Sequence, residues 1–219
     1  ASAKLAACMT SSGLVRLFSY GSNNVRQLQG RLQTSRSIVA FPAVLPGYMR
    51  VFAEYSAGWG GGCAAIVPAP DQQVHGLIAL LTPEEIAMID RFERVAEGMY
   101  EHVHATATVH YMQDRKEDEL VLFYSKIDVE QFAHPSNAYC SAIYATITFG
   151  FPEVQSLPIC KHDGSVLGEW APKPFRHMCL PSFLTEVGMR LSQPWTLPVE
   201  MNRRVQVCTD HGVSEPAHF

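Results

Sequence analysis

Two stretches far apart in the chain carry groups that could do chemistry. The first is Phe18-Ser19-Tyr20-Gly21-Ser22-Asn23. The apolar residues Leu14, Val15, Leu17 and Phe18 read as a buried strand that stops at a Gly-Ser-Asn turn. Gly21 can adopt backbone angles that a side chain forbids. Backbone N–H groups at such a corner point into one concave spot and attract a carboxylate or another anion. The plainer reading is a strand-to-helix corner with Ser22 or Asn23 as N-cap. The second stretch opens at Thr82 and reaches Glu93. Ile86 and Ile89 mark the inner face of a helix, and the i+7 position from Ile86 lies on the same stripe. That position is Glu93. A carboxylate on an apolar stripe is expected to be partly desolvated, a setting in which general acids and bases exchange protons near neutral pH. If the helix instead frays by Arg91, Glu93 turns outward to pair with Arg94 or another basic group.

The surrounding elements must bring these stretches together. Val25, Leu28 and Leu32 recur at helical spacing after the first turn. Ile38–Phe41 and Tyr48–Phe52 read as strands on either side of a Pro46-Gly47 turn. Gly58, Gly60, Gly61 and Gly62 surround Trp59 and read as a loop. Cys63–Val67 is a third strand, a turn at Pro68 and Pro70 follows, and Val74–Leu81 is a fourth strand apolar enough to be covered on both faces. Thr82-Pro83-Glu84-Glu85 has the N-cap, first-turn proline and glutamate of a capping box. Gly98 is expected to cap the end of this segment. Val103, Ala105, Ala107, Val109 and Tyr111 then alternate with His102, His104, Thr106, Thr108 and His110. The alternation predicts a strand with a solvated polar face, since no carboxylate or cysteine stands at metal-ligating spacing from the histidines. The charged run 114–119 forms a hairpin tip, and Leu120–Tyr124 returns as the partner strand. Residues 136–149 start at Pro135-Ser136 and carry Tyr139, Ile143 and Ile147 at helical spacing. Beyond Gly150 prolines crowd the chain, eight of its 14 lying between 152 and 216. Regular structure is expected to thin out there.

Composition narrows the function classes. The chain of 219 residues is 47% hydrophobic, enough to bury a core, with a formal net charge of -4. That balance supplies no basic field for a nucleic acid. No apolar run reaches the roughly 20 residues of a membrane span. Residues 1–13 read as a disordered tail without the apolar stretch of a secretory signal. The six cysteines are widely spaced, and reduced thiols in a cytoplasmic protein are expected. In the C-terminal part, Cys160, His162, His177, Cys179, Cys208 and His211 could gather around zinc, but no Cys-x-x-Cys pair is present, and buried thiols and surface histidines account for the same residues. Gly21-Ser22-Asn23 is not the Gly-x-Ser-x-Gly elbow of a serine hydrolase, and Cys63 enters an apolar strand and reads as packing.

In this order the pieces resemble the γ-glutamylcyclotransferase family. The residues carrying the resemblance are Tyr20-Gly21-Ser22-Asn23, Trp59-Gly60-Gly61-Gly62, the strand Val74–Leu81, Ile89-Asp90-Arg91-Phe92-Glu93, Gly98-Met99-Tyr100 and Pro135-Ser136-Asn137-Ala138-Tyr139. They span about residues 14 to 157. The resemblance implies an α+β fold, a small mixed β-barrel with flanking helices; the proline content, not the resemblance, points to a C-terminal extension of low regular structure over 158–219, expected to pack on the same domain. The resemblance implies a pocket at the barrel mouth lined by Tyr20, Gly21, Ser22 and Asn23, with Tyr139 over the substrate and Glu93 as acid/base. It implies cyclisation of a small-molecule γ-glutamyl substrate to 5-oxoproline with release of an amine, without metal or organic cofactor. The form with Asn23 is closer to enzymes acting on γ-glutamyl amino acids than to the γ-glutamylamine branch. Asn24 and Val25 stand where leucines are expected, and residues after about 160 have no counterpart in the resemblance. A non-catalytic module that binds a small anion or a γ-glutamyl group on the same fold is the alternative.

Overall fold

The structure is a computed structural model that describes residues 3–112 and 115–172. Five strands, β1 (Val15–Ser19), β2 (Ala40–Ser56), β3 (Gly61–Leu81), β4 (Tyr100–His110) and β5 (Lys116–Lys126), close a barrel in the order β1-β3-β2-β4-β5. Neighbours are antiparallel, except that β1 and β5 meet in parallel at Leu17 and Leu122. Helices α1 (Ala3–Ala7), α2 (Val25–Leu32), α3 (Pro83–Phe92) and α4 (Asn137–Thr148) flank the barrel, and a hairpin of β6 (Leu157–Cys160) and β7 (Val166–Trp170) follows α4. The fold is α+β. No helix among the described residues is long and apolar enough to cross a membrane.

Alternation along the strands builds two apolar layers. Phe18, Ile78 and Phe123 point into the cluster that also takes Tyr139, Ile143 and Ile147 of α4. Leu17, Leu77 and Leu122 point the other way, against Leu28 and Leu32 of α2 and Ile86 and Ile89 of α3. The expectation that Val74–Leu81 is covered on both faces holds. Each fully buried Leu or Ile contributes roughly 1.5–3 kcal/mol relative to exposure. The inner stripes of α2 and α3 therefore fix both helices to the same side of the barrel. Thr82 opens α3 with a reciprocal capping box, its hydroxyl accepting from the Glu85 N–H and its own N–H donating to the Glu85 carboxylate.

Several expectations are corrected. Residues 3–13 are not a disordered tail: α1 leads into a fully buried Cys8, and Met9 bridges to Val15. Pro46-Gly47 and Pro68–Pro70 do not separate four short strands but lie within β2 and β3. Pro46 pairs with Gln73 and Tyr48 with Pro68, so the prolines, which lack an N–H, sit where the ladder shifts register. Gly61 and Gly62 belong to β3 and not to the loop. Their missing side chains admit the Ala133–Ser136 backbone: a Cβ at Gly62 would lie 2.0 Å from the Ala133 carbonyl oxygen. The cap of α2 is Asn24, not Ser22 or Asn23, its side chain accepting from the Gln27 N–H. Helix α3 ends at Phe92 with Glu93 as C-cap, and Gly98, at φ +73°, closes the turn beyond it. The histidine face of β4 is not simply solvated, because the His102 Nε2 meets Asp90 Oδ1 of α3 at 2.7 Å. A boundary at 158 falls inside β6, whose Leu157 and Ile159 are buried in the barrel cluster. The compact unit runs to Pro172.

Candidate active site

The turn after β1 is held from three sides. The Tyr20 hydroxyl donates to the Tyr124 carbonyl at 2.7 Å, and the buried Arg50 Nε donates to the Tyr20 carbonyl at 3.0 Å. The Ser19 hydroxyl donates to the Asn23 carbonyl at 2.7 Å. Among the described residues the N–H groups of Gly21, Ser22 and Asn23 make no backbone hydrogen bond. Gly21 faces Tyr139: a Cβ at this position would stand 3.4 Å from the Tyr139 hydroxyl. The Tyr139 hydroxyl in turn accepts from the Ala64 N–H at 3.0 Å, and its ring leans on Trp59 with centroids 4.9 Å apart.

Glu93 reaches the same cavity from the end of α3. Its side chain is 12% exposed. Oε1 accepts from Asn23 Nδ2 at 3.0 Å and from Arg31 Nη1 at 2.6 Å. The first of these bonds requires the Asn23 amide nitrogen to point at Glu93, so Oδ1 points away from it. That buried Oδ1 has no hydrogen-bond partner among the described residues. An unpaired buried acceptor is costly, so an N–H donor from a ligand in the cavity would be favoured there.

The cavity between these groups is lined by all six residues singled out from the sequence, Tyr20, Gly21, Ser22, Asn23, Glu93 and Tyr139. Arg31, Trp59, Cys63, Tyr100 and Tyr124 line it too. Burial pushes the hydroxyls of Tyr20, Tyr100, Tyr124 and Tyr139 above the ordinary tyrosine range. Burial also raises the Cys63 thiol, which opposes its use as a nucleophile. The tyrosines are therefore neutral at working pH and serve as hydrogen-bonding groups. Glu93 is the one carboxylate among the described residues of the lining.

The sequence reading missed Arg31. Its signal is the one that singled out Glu93, a charged residue beside an apolar helical stripe, here one turn from Leu28 on α2. Tyr124 carried no comparable signal; its place follows from barrel closure. Of the residues considered for zinc, Cys160 is buried against Val51 and Ala65. His177, Cys179, Cys208 and His211 lie outside the described residues. Among the described residues no group of three His, Cys, Asp or Glu side chains is placed to hold a metal ion.

Residues 17–140 match the family described as gamma-glutamyl cyclotransferase, AIG2-like. No curated protein matches the chain. Among solved structures, one described as a gamma-glutamyl cyclotransferase is 24% identical, with a TM-score of 0.50 over 63% of this chain and 78% of its own. The Homo sapiens protein loc79017 is 19% identical, with a TM-score of 0.52 over 89% of this chain and 99% of its own. YkqA from Bacillus subtilis is 19% identical, with a TM-score of 0.50 over 62% of this chain and 49% of its own. At these identities the structural likeness is one of fold.

Proposed function

The chain belongs to the AIG2-like gamma-glutamyl cyclotransferase family, and from that membership we propose that it cyclises the γ-glutamyl group of a γ-glutamyl amino acid, peptide or amine to 5-oxoproline. The observation that carries the reading is the convergence of one carboxylate, Glu93, with the Tyr20–Asn23 turn and Tyr139 around one cavity. The substrate is a free small molecule, and the protein works in the cytoplasm, in keeping with the free, buried or half-buried thiols of the four cysteines among the described residues.

The reaction is intramolecular. Glu93 takes a proton from the α-ammonium, and the freed amine nitrogen attacks the γ-carbonyl carbon. A new C–N bond closes a five-membered ring and negative charge moves onto the carbonyl oxygen. The tetrahedral adduct then collapses: the amide C–N bond breaks, Glu93 returns its proton to the departing amine, and the ring nitrogen loses its second proton, so that 5-oxoproline leaves with one lactam N–H and the amine leaves as an ammonium. Nucleophile and electrophile share one molecule, and well-oriented ring closures reach effective molarities of roughly 10⁵ M or more. The protein's task is to fold the substrate and move the proton. The N–H groups of Gly21, Ser22 and Asn23, which make no backbone hydrogen bond among the described residues, suit the α-carboxylate or the developing oxyanion, and Asn23 Oδ1 suits an ammonium N–H. Tyr20 and Tyr139 wall the pocket as neutral hydrogen-bonding groups.

The test is 5-oxoproline release from a γ-glutamyl dipeptide, glutathione and a γ-glutamyl-lysine amide, with wild type and Glu93→Gln. Wild type is expected to release 5-oxoproline, and a folded Glu93→Gln to lose about 10²-fold or more of the rate. Full activity in Glu93→Gln would remove that residue from the role. The Arg31–Glu93 pair favours a second reading, a γ-glutamyl-binding module in which Glu93 only anchors the turn. Measurable binding of the dipeptide without release by wild type would establish it.

A further inference from the structure

Arg31 lies outside the motifs that carry the family resemblance, yet among the described residues it is the cation lining the cavity. Its guanidinium is fixed twice by adjacent residues of the α3 terminus. Nη1 donates to Glu93 Oε1, and the guanidinium carbon lies 5.2 Å from the centroid of the Phe92 ring. Leu28 and Leu32 of α2 sit in the same apolar layer as Ile86 and Ile89 of α3, so the two helices that carry the pair are fastened to each other. Both donors to Glu93, Arg31 Nη1 and Asn23 Nδ2, meet the same oxygen. Oε2 has no hydrogen-bond partner among the described residues.

A carboxylate oxygen has two lone-pair sites, and two N–H donors fill those of Oε1. A proton arriving at Glu93 then binds Oε2. The terminal torsion of a glutamate is soft and nearly two-fold, so the side chain does not by itself choose which oxygen faces the substrate. We infer that Arg31 is a positioning residue for the cyclisation: it pins Oε1 from the α2 side, so that Oε2 is the atom that takes the proton from the α-ammonium and returns it to the departing amine. Asn23 secures the same oxygen from the substrate-binding turn. Turn, helix and counter-charge thus set one carboxyl plane. The inference rests on the cyclising role proposed for Glu93.

A competing use of Arg31, holding a carboxylate of the substrate, predicts a different kinetic signature. The experiment compares wild type, Arg31→Met and Arg31→Lys on the substrate that wild type turns over best, with kcat and KM measured separately and folding followed by denaturant unfolding. Positioning predicts that Arg31→Met loses about 10- to 100-fold in kcat with KM within about threefold of wild type. Arg31→Lys keeps a donor and the charge, and recovers part of that loss. A raised KM at unchanged kcat would overturn the role in favour of substrate binding, and unchanged constants would overturn it outright. If Arg31→Met does not fold, Arg31→Lys decides alone: lowered kcat at unchanged KM supports positioning, and unchanged kcat overturns it. No release by wild type from any substrate would overturn the reading of function and this role with it; full kcat in Arg31→Met would overturn this role alone.

Discussion

Tyr139 illustrates how single residues here serve fold and site together. Its hydroxyl accepts from the Ala64 N–H at the start of the strand that faces the pocket, while its ring and the Trp59 ring wall one side of it. Replacing Tyr139 with Phe keeps the ring and leaves the Ala64 N–H buried without its acceptor. Stability is expected to fall by about 1–3 kcal/mol, read as a lower denaturant midpoint at unchanged slope. A wild-type midpoint would show that the N–H finds water or another acceptor. Glu93 and the Tyr20–Asn23 turn were legible in the sequence because a carboxylate on an apolar stripe and a glycine-led strand end are both local patterns. The partner of Glu93 was not legible. Arg94 stands next to it in sequence, but Arg94 takes a left-handed φ of 53° as the chain leaves the helix, and Arg31 arrives from another helix. Which basic group meets a carboxylate is decided by helix packing across the barrel.

At the scale of elements, the glycines after Trp59 position α4 as much as they end a turn. The Gly62 N–H donates to the His134 carbonyl at 2.9 Å, and a Cβ on Gly61 would meet the Ser136 N at 2.5 Å. Ser136 is the N-cap of α4, so this close approach sets where Tyr139 begins its turn. Gly62→Ala must push the Ala133–Ser136 backbone away and is expected to cost about 1–3 kcal/mol, with a loss of 5-oxoproline release as Tyr139 shifts. Gly30→Ala is the matched control: on α2 a new methyl meets nothing within 4 Å, and the change is expected to raise stability by roughly 0.5–1 kcal/mol. Equal midpoints for the two variants would defeat the packing argument. Elements with local start signals were readable in advance: the capping box of α3 and the Ser136 cap of α4 both stand where their sequences put them. Strands β2 and β3 were not, since Pro46, Pro68 and Pro70 punctuate the sequence as turns do. In the barrel the long hairpin absorbs them at a shift of register, a tertiary solution with no local signature.

At the scale of the whole molecule, the barrel separates the chemistry of the site from the response of the fold to acid. His75 and His110 lie beyond Arg50, with their rings edge-on to Phe151 at 4.6 and 5.1 Å. Burial lowers both histidines; the charge of Arg50 and the neighbouring His110 lower His75 further, while Glu153 partly offsets this. The unfolded chain restores ordinary imidazoles near pH 6.5. As pH falls below that value, the unfolded state binds protons before the folded state does, and proton binding favours unfolding. The stabilisation is therefore fully present above about pH 6.5 and is lost as pH drops through the lower folded values. Wild type is expected to lose denaturant midpoint between about pH 7.5 and 5.5, and His75→Phe to lose less over the same interval. The substitution leaves the backbone carbonyl of residue 75, which accepts from Arg50 at 2.8 Å, in place. It therefore removes the titration without removing the support of the Tyr20 turn, and the variant should still release 5-oxoproline. An equal drop in both proteins would move the acid response to other groups. A flatter stability profile with turnover preserved would locate it at the Phe151 pair, apart from the proton transfer proposed for Glu93.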